Sequence, residues 1–177
     1  MRPLTDAEYA FLSPHLSSPR GRRPSNLRRT LDAVFWIAST RLPWRALPAH
    51  LGRPDSAHRA LRRWARTGQL ETALLAAHAA RQDVPAAAGL LHRLCRAFRR
   101  MARVLPLASL LLARRLGLTA ALPCAPRHLP DPHLSEIAKS AALRALENPL
   151  AHPPALFRAL AGLFRHAGGR PRMWRLR

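Results

Sequence analysis

Leu42–Gly68, LPWRALPAHLGRPDSAHRALRRWARTG, decides the reading of the chain: it parses as a short helix, a tight turn and a second helix whose outer face is arginine. In the second helix Ala57, Ala60, Leu61 and Trp64 recur at i, i+3, i+4 and i+7, the spacing of one buried stripe. His58, Arg59, Arg62, Arg63 and Arg66 fall outside it. Asp55 or Ser56, after Pro54, offers a side-chain oxygen to the free amides of a helix start, and Gly68 permits a left-handed stop. The preceding helix, Trp44 to Leu51, carries Leu47 and Leu51 as its packing pair, and Gly52 stands where a two-helix corner needs positive φ. This pattern predicts a helix-turn-helix. In that motif the second helix lies in the major groove, where arginine donates two parallel hydrogen bonds to guanine O6 and N7. His58, Arg59, Arg62 and Arg63 then face base edges, Arg45, Arg53 and Arg66 hold phosphates, and Ser56 sits at the groove-facing helix start. The other use of such a run is a solvated charged face, so the flanking sequence has to decide.

Upstream, Thr5 and Glu8 have capping-box spacing, opening a helix to Leu16 with Leu4, Phe11 and Leu12 as core residues. Ser17–Ser25 (SSPRGRRPS) is a basic loop whose Arg20, Arg22 and Arg23 suit a minor-groove arm or an exposed linker. A long helix starts at Ser25 or Asn26 and places Leu27, Leu31, Val34, Phe35, Ala38 and Leu42 at helical period, with Trp36 and Ile37 widening the apolar arc. Trp44 after Pro43 seals the corner. A helix from Leu70 to Ala80 closes the unit, and Gln82-Asp83-Val84-Pro85 marks a boundary. Two regions result: residues 1–83, a homeodomain-like helix-turn-helix bundle, and residues 84–177, a basic helical region of unassigned role.

In the second region, Ala86 to Leu105 sets Leu90, Leu91, Leu94, Phe98, Met101 and Leu105 against Arg93, Arg96, Arg99, Arg100 and Arg103. That is a basic amphipathic helix, suited to packing or to an anionic surface. Leu107–Leu116 continues after Pro106, and Pro123–Pro132 (PCAPRHLPDP) breaks regular structure. Asp131-Pro132 opens a helix to Glu147, and a last helix, Pro154–Ala167, stops at Gly168-Gly169 before a basic tail.

Composition agrees with this picture. Thirty Lys+Arg face nine Asp+Glu, a formal charge of +21, so polyanions bind with counterion release. Lys139 is the only lysine, and Arg, Ala, Leu and Pro are all encoded by GC-rich codons, so net charge says more than arginine identity does. Three valines, two isoleucines and one tyrosine leave little for a sheet, and the fold expected is all-α. No secretory signal is apparent. The longest uncharged apolar run, Val104–Ala113, is ten residues against the roughly 20 a spanning helix needs. Cys95 and Cys124 form no CxxC and read as reduced thiols. Cys124, His128 and His133 have loose spacing and three prolines among them, which argues against zinc. No nucleophile has a neighbouring base and no glycine-rich phosphate loop is present, so no catalytic residue, metal or cofactor is expected.

Five blocks then fall in order: Leu4-Thr5-Asp6-Ala7-Glu8, Arg20–Pro24, Leu27–Ala33, Leu42–Pro48 and Arg62-Arg63-Trp64-Ala65-Arg66. Together they resemble the N-terminal domain of bacterial insertion-element transposases. The resemblance implies binding of the element's terminal DNA by this module. There are two departures from the family: Asp55, Ala57 and His58 follow the turn where an aromatic residue is usual, and Leu42 precedes Pro43 where a small residue or cysteine is usual. Such transposases are expected to continue into an RNase-H-like domain with three carboxylates on two metal ions. Beyond residue 83 only Asp131, Glu136 and Glu147 remain, crowded into 17 residues without strands to carry them. The expectation is therefore a DNA-binding, non-catalytic, transposase-like protein of the cytoplasm and nucleoid. Its partner is double-stranded DNA, with a homodimer left open, no small-molecule substrate and no membrane span. The competing expectations are a basic helical protein that coats RNA or anionic membrane, and a degenerate insertion-element remnant.

Overall fold

The Thr5–Glu8 pair caps as its spacing predicts: Thr5 Oγ1 accepts from the Glu8 amide at 3.2 Å, and Glu8 Oε2 accepts from the Thr5 amide at 3.0 Å. This starts α1, Asp6–Leu16. Asn26 does the same for α2, Leu27–Thr40, its side chain accepting from the Arg29 amide at 2.8 Å. The computed structural model describes residues 2–16 and 26–174, and among these it is all helix and turn, with no strand. The Arg20, Arg22 and Arg23 arm lies outside the described residues.

After α2 come α3 (Pro54–Arg66), α4 (Gln69–Ala79), α5 (Pro85–Arg100) and α6 (Leu107–Arg115), then α7 (Pro132–Glu147), α8 (Pro154–Ala167) and the short α9 (Pro171–Trp174). They form two compact units, Met1–Leu122 and Pro123–Arg177.

In the first unit α5 is the central element, packed against α4, α2 and α1, while α3 packs on α2 and α4. Leu12, Leu31, Phe35, Ile37, Leu61, Trp64, Leu74, Leu90, Leu94 and Phe98 are each exposed by 2% or less, so one continuous core runs from α1 to α5. Phe11, expected in that core, is only half-buried, and Leu42 is exposed. The division expected near residue 83 falls inside this unit. Pro85 stands at the first position of α5 rather than in a linker, and Ala87, Leu90, Leu94 and Phe98 behind it are fully buried.

Burial also changes how the arginines of α5 read. Arg93, expected on the outer face, is buried: one guanidinium nitrogen donates to the Arg2 carbonyl at 2.9 Å and the other lies 3.8 Å from Glu8 Oε2. Glu8 is itself only 2% exposed and accepts from Arg2 at 2.6 and 2.8 Å. Burial pushes the Glu8 carboxyl up, but the hydrogen bonds from Arg2 and from the Thr5 amide, with the Arg93 charge, outweigh it and hold the group below the ordinary carboxylate range. Periodicity could not foresee this, because the partners that make burial of Arg93 tolerable come from residues 2 and 8. Arg96 and Arg100 donate to the carbonyls of Ser39 and Leu42, at 3.4 and 2.8 Å, and tie α5 to the end of α2. Cys95, beside them on α5, is buried, which pushes its thiol up to about 11.

The second unit is an α7–α8 hairpin with a small core of Leu129, Ala138, Ala145, Leu160 and Ala167. Asp131 caps α7, its side chain accepting from the Leu134 amide at 3.0 Å as the Asp-Pro pair predicts. Gly169, at φ +66°, lies so close to the turn before α7 that a Cβ would stand 2.5 Å from the His128 carbonyl oxygen. Only glycine fits there.

Candidate nucleic-acid interface

The segment Trp44–Leu51 differs from the single α-helix expected. It forms two 3-10 turns, Trp44–Ala46 and Ala49–Leu51, separated by Leu47 and Pro48 in extended backbone. Proline at 48 lacks the N–H that an α-helix needs and drives the residue before it out of the α region. Leu47 is nonetheless buried and Leu51 half-buried, so the packing pair survives the change of backbone. Gly52 takes φ +102°, the positive value its position calls for. Arg29 of α2 closes the turn from outside by donating to the Ala49 carbonyl at 3.2 Å.

α3 then starts with Pro54 at its first position and Arg53 as cap residue, without a side-chain cap. Asp55 and Ser56 were the expected caps. Both are exposed instead, two and three residues past the cap position, with the Asp55 carboxylate in the first turn where the helix dipole favours it. Ala57, Ala60, Leu61 and Trp64 are buried as the stripe predicts, joined by Ala65. Gly68, at φ +78°, ends the element.

On the opposite side Ser56, Arg59, Arg62, Arg63 and Arg66 are all exposed. At about 100° per residue they fall within a face roughly 120° wide. Arg45, on the first 3-10 turn, and Arg53, at the cap of α3, are exposed beside the start of this face. His58 stands apart from the other expected base-facing residues: it is half-buried, with its ring 5.0 Å from that of Trp44. Trp44 also takes the Arg100 guanidinium 5.6 Å from its ring centre, so α5 reaches the corner on which α3 leans.

The charge on this face meets one carboxylate, the exposed Asp55 a turn before Arg59, and Asp55 forms no ion pair among the described residues. Residues 1–122 hold 21 arginines and six carboxylates, and four of those carboxylates are engaged elsewhere. Asp6 pairs with Arg28, Glu8 with Arg2 and Arg93, Asp32 accepts from the Leu4 amide, and Glu71 meets the Ser109 hydroxyl. Among the described residues Arg59, Arg62, Arg63 and Arg66 form no ion pair. A further cationic cluster escaped the sequence reading: burial, and the charges of Arg41 and Arg99 beside it, hold Arg96 below the ordinary arginine range. The two helices that bring these groups together are far apart in sequence, and no spacing rule connects them.

The remaining carboxylates do not gather. Asp131 caps α7, and Glu136 and Glu147 are exposed along it. Among the described residues no three His, Cys, Asp or Glu side chains come within reach of one metal ion, the Cys124, His128 and His133 set included. No helix among the described residues is long and apolar enough to cross a membrane.

Residues 4–74 match the family model described as "Putative transposase of IS4/5 family (DUF4096)". The matched stretch takes in α1, α2, both 3-10 turns, all of α3 and the first half of α4, and this N-terminal region is similar to that family. No curated protein and no solved structure matches the chain.

Proposed function

We propose that this chain binds double-stranded DNA by laying the arginine face of α3 in the major groove, and that it cuts no strand itself. One observation carries the reading: four exposed guanidiniums, none of them in an ion pair among the described residues, on a single face of a helix whose other side is locked into the core by Leu61 and Trp64. A rigid backing is what base reading needs, since misplacing a bidentate arginine forfeits its second hydrogen bond. The relation to IS4/5 transposases supports terminal insertion-element DNA as the target. Arg59, Arg62 and Arg63 are the base-reading candidates, and Arg45, Arg53 and Arg66 the phosphate contacts. Arg20, Arg22 and Arg23 complete the interface as a minor-groove arm. His58 acts through Trp44, as a support for the corner. The lack of cutting follows from the scattered carboxylates, one of which already caps a helix.

Duplex binding followed by fluorescence anisotropy across a salt series tests the reading. Arg59→Ala or Arg62→Ala is expected to cost ~1–3 kcal/mol on preferred sequences and to relax sequence choice, whereas Arg66→Ala lowers the salt slope by about one. Equal loss on every sequence would leave phosphate contact alone. Incubation of bound DNA with Mg2+ or Mn2+ is expected to leave both strands intact, and nicking would overturn the non-catalytic part.

The α5 arginines lend no support to a membrane or RNA coat. Three of the four are engaged with backbone carbonyls of their own unit, and the apolar face of α5 lies inside the core.

A further inference from the structure

The second unit contains a concave pocket of about 330 Å³ lined by Arg127, His128, Gly162, Arg165, His166 and Arg170. Its walls come from the 3-10 turn Pro126–His128, from the last turns of α8 and from Gly169 and Arg170 beyond them. Gly169 draws the two together: the Arg170 amide donates to the His128 carbonyl at 2.8 Å, and no side chain could occupy position 169 at that distance. Three guanidiniums are thus held around one opening, and no carboxylate lines it. None of the three is ion-paired among the described residues.

Ordinary helix chemistry accounts for part of this charge. Arg165 and His166 lie in the last turn of α8, where cations meet the negative end of the dipole. That end amounts to about half an elementary charge, however, against three exposed guanidiniums, so most of the positive charge is left unbalanced. Arg127 lies in the 3-10 turn Pro126–His128 and Arg170 immediately precedes α9, its carbonyl accepting from the Met173 amide at 2.9 Å, so neither lies in the last turn of an α-helix, where the dipole favours a cation. His128 registers the imbalance: burial, then the charges of Arg170 and Arg127, lower its proton affinity. Its Nδ1 is buried without a hydrogen-bond partner, although its Nε2 lies 3.4 Å from Arg127 Nε.

We propose that this pocket is a phosphate-binding site, with Arg127, Arg165 and Arg170 closing on the oxygens of one phosphate group. A phosphate accepts several charge-assisted hydrogen bonds at once and matches planar guanidinium donors two by two. The pocket shares no residue with α3, and the α3 variants serve as its control.

The full chain is titrated with inorganic phosphate by calorimetry, and with a short oligonucleotide carrying either a 5′-phosphate or a 5′-hydroxyl. Phosphate is expected to bind, and R127Q, R165Q and R170Q each to weaken it about tenfold or more, since each removes a charge-assisted hydrogen bond. Gly162 has open space where a Cβ would go, so Gly162→Leu fills the pocket with every charge retained and the helix undisturbed. It is expected to abolish binding as well. R59Q and R62Q are expected to leave phosphate affinity unchanged. A preference for the 5′-phosphorylated strand that disappears in Gly162→Leu would identify a strand end as the source of the phosphate. Equal binding of the two strands, with free phosphate still held by the pocket, would identify a free ligand. Failure of phosphate to bind, or binding untouched by Gly162→Leu and the pocket glutamines, overturns the proposal.

Discussion

α3 and α5 each carry four arginines beside an apolar stripe, and the fold puts them to opposite uses. On α3 the four are exposed and none forms an ion pair among the described residues, although Arg59 donates to the Asp55 carbonyl of its own helix at 3.4 Å. On α5 three of the four turn inward or across, donating to the carbonyls of Arg2, Ser39 and Leu42. The difference comes from location. α3 lies at the side of the unit against α2 and α4, whereas α5 has α1, α2 and α4 around it, so its flanking arginines meet backbone before they meet water. A long guanidinium stem can reach a carbonyl and satisfy it, which makes arginine a brace as readily as a ligand for phosphate.

The comparison breaks most visibly if the backing of α3 is removed. Trp64→Ala deletes a fully buried ring and is expected to cost about 3–5 kcal/mol, measured by urea unfolding. Trp64→Phe should cost much less, because the buried indole N–H has no partner to lose. Next comes Arg93→Ala, which strips a buried carboxylate of one of its two cations: about 3 kcal/mol of stability, with the DNA affinity of the folded protein unchanged. Arg62→Ala should do the reverse, costing ~1–3 kcal/mol in DNA binding and less than about 0.5 in stability. If both arginines behaved alike in both assays, the distinction between reader and brace would fail.

A pH series sharpens it further. Since the folded protein holds Glu8 below its ordinary value, the unfolded chain binds that proton more readily. The stabilisation is present above the unfolded value of about 4.3 and is lost as pH falls through the lower folded one. Glu8→Gln should flatten that acid slope, and a slope unchanged by it would place the acid sensitivity elsewhere. Arg99, exposed and in no ion pair among the described residues, is the smallest case, its alanine variant expected within about 0.5 kcal/mol of the parent.

Much of this architecture was legible because local chemistry sets it. The Thr5–Glu8 box, Asn26, the Ala57–Trp64 stripe, Gly68 and the Asp131-Pro132 start all depend on residues within a turn or two of each other. Where the reading went astray, the cause was distant or was overridden. Pro48 interrupts a helix that Leu47 and Leu51 alone would suggest, and Arg93 is buried only because Arg2 and Glu8 come to it. The α3 face could be read in the sequence, since it lies on one helix. The Arg127–Arg170 pocket could not, because it exists only where a glycine lets two separate segments touch.

The position of α5 has a practical consequence for anyone cloning the transposase-like part. Sequence likeness to the transposases stops at residue 74, but the apolar sides of α1, α2 and α4 are not covered until α5 has been added, and the compact unit closes only at Leu122. A fragment trimmed to the family boundary would display the greasy underside of three helices and should precipitate or oligomerise, whereas one ending at Leu122 should stay monodisperse. What is shared by descent and what is needed to fold have different ends in this chain.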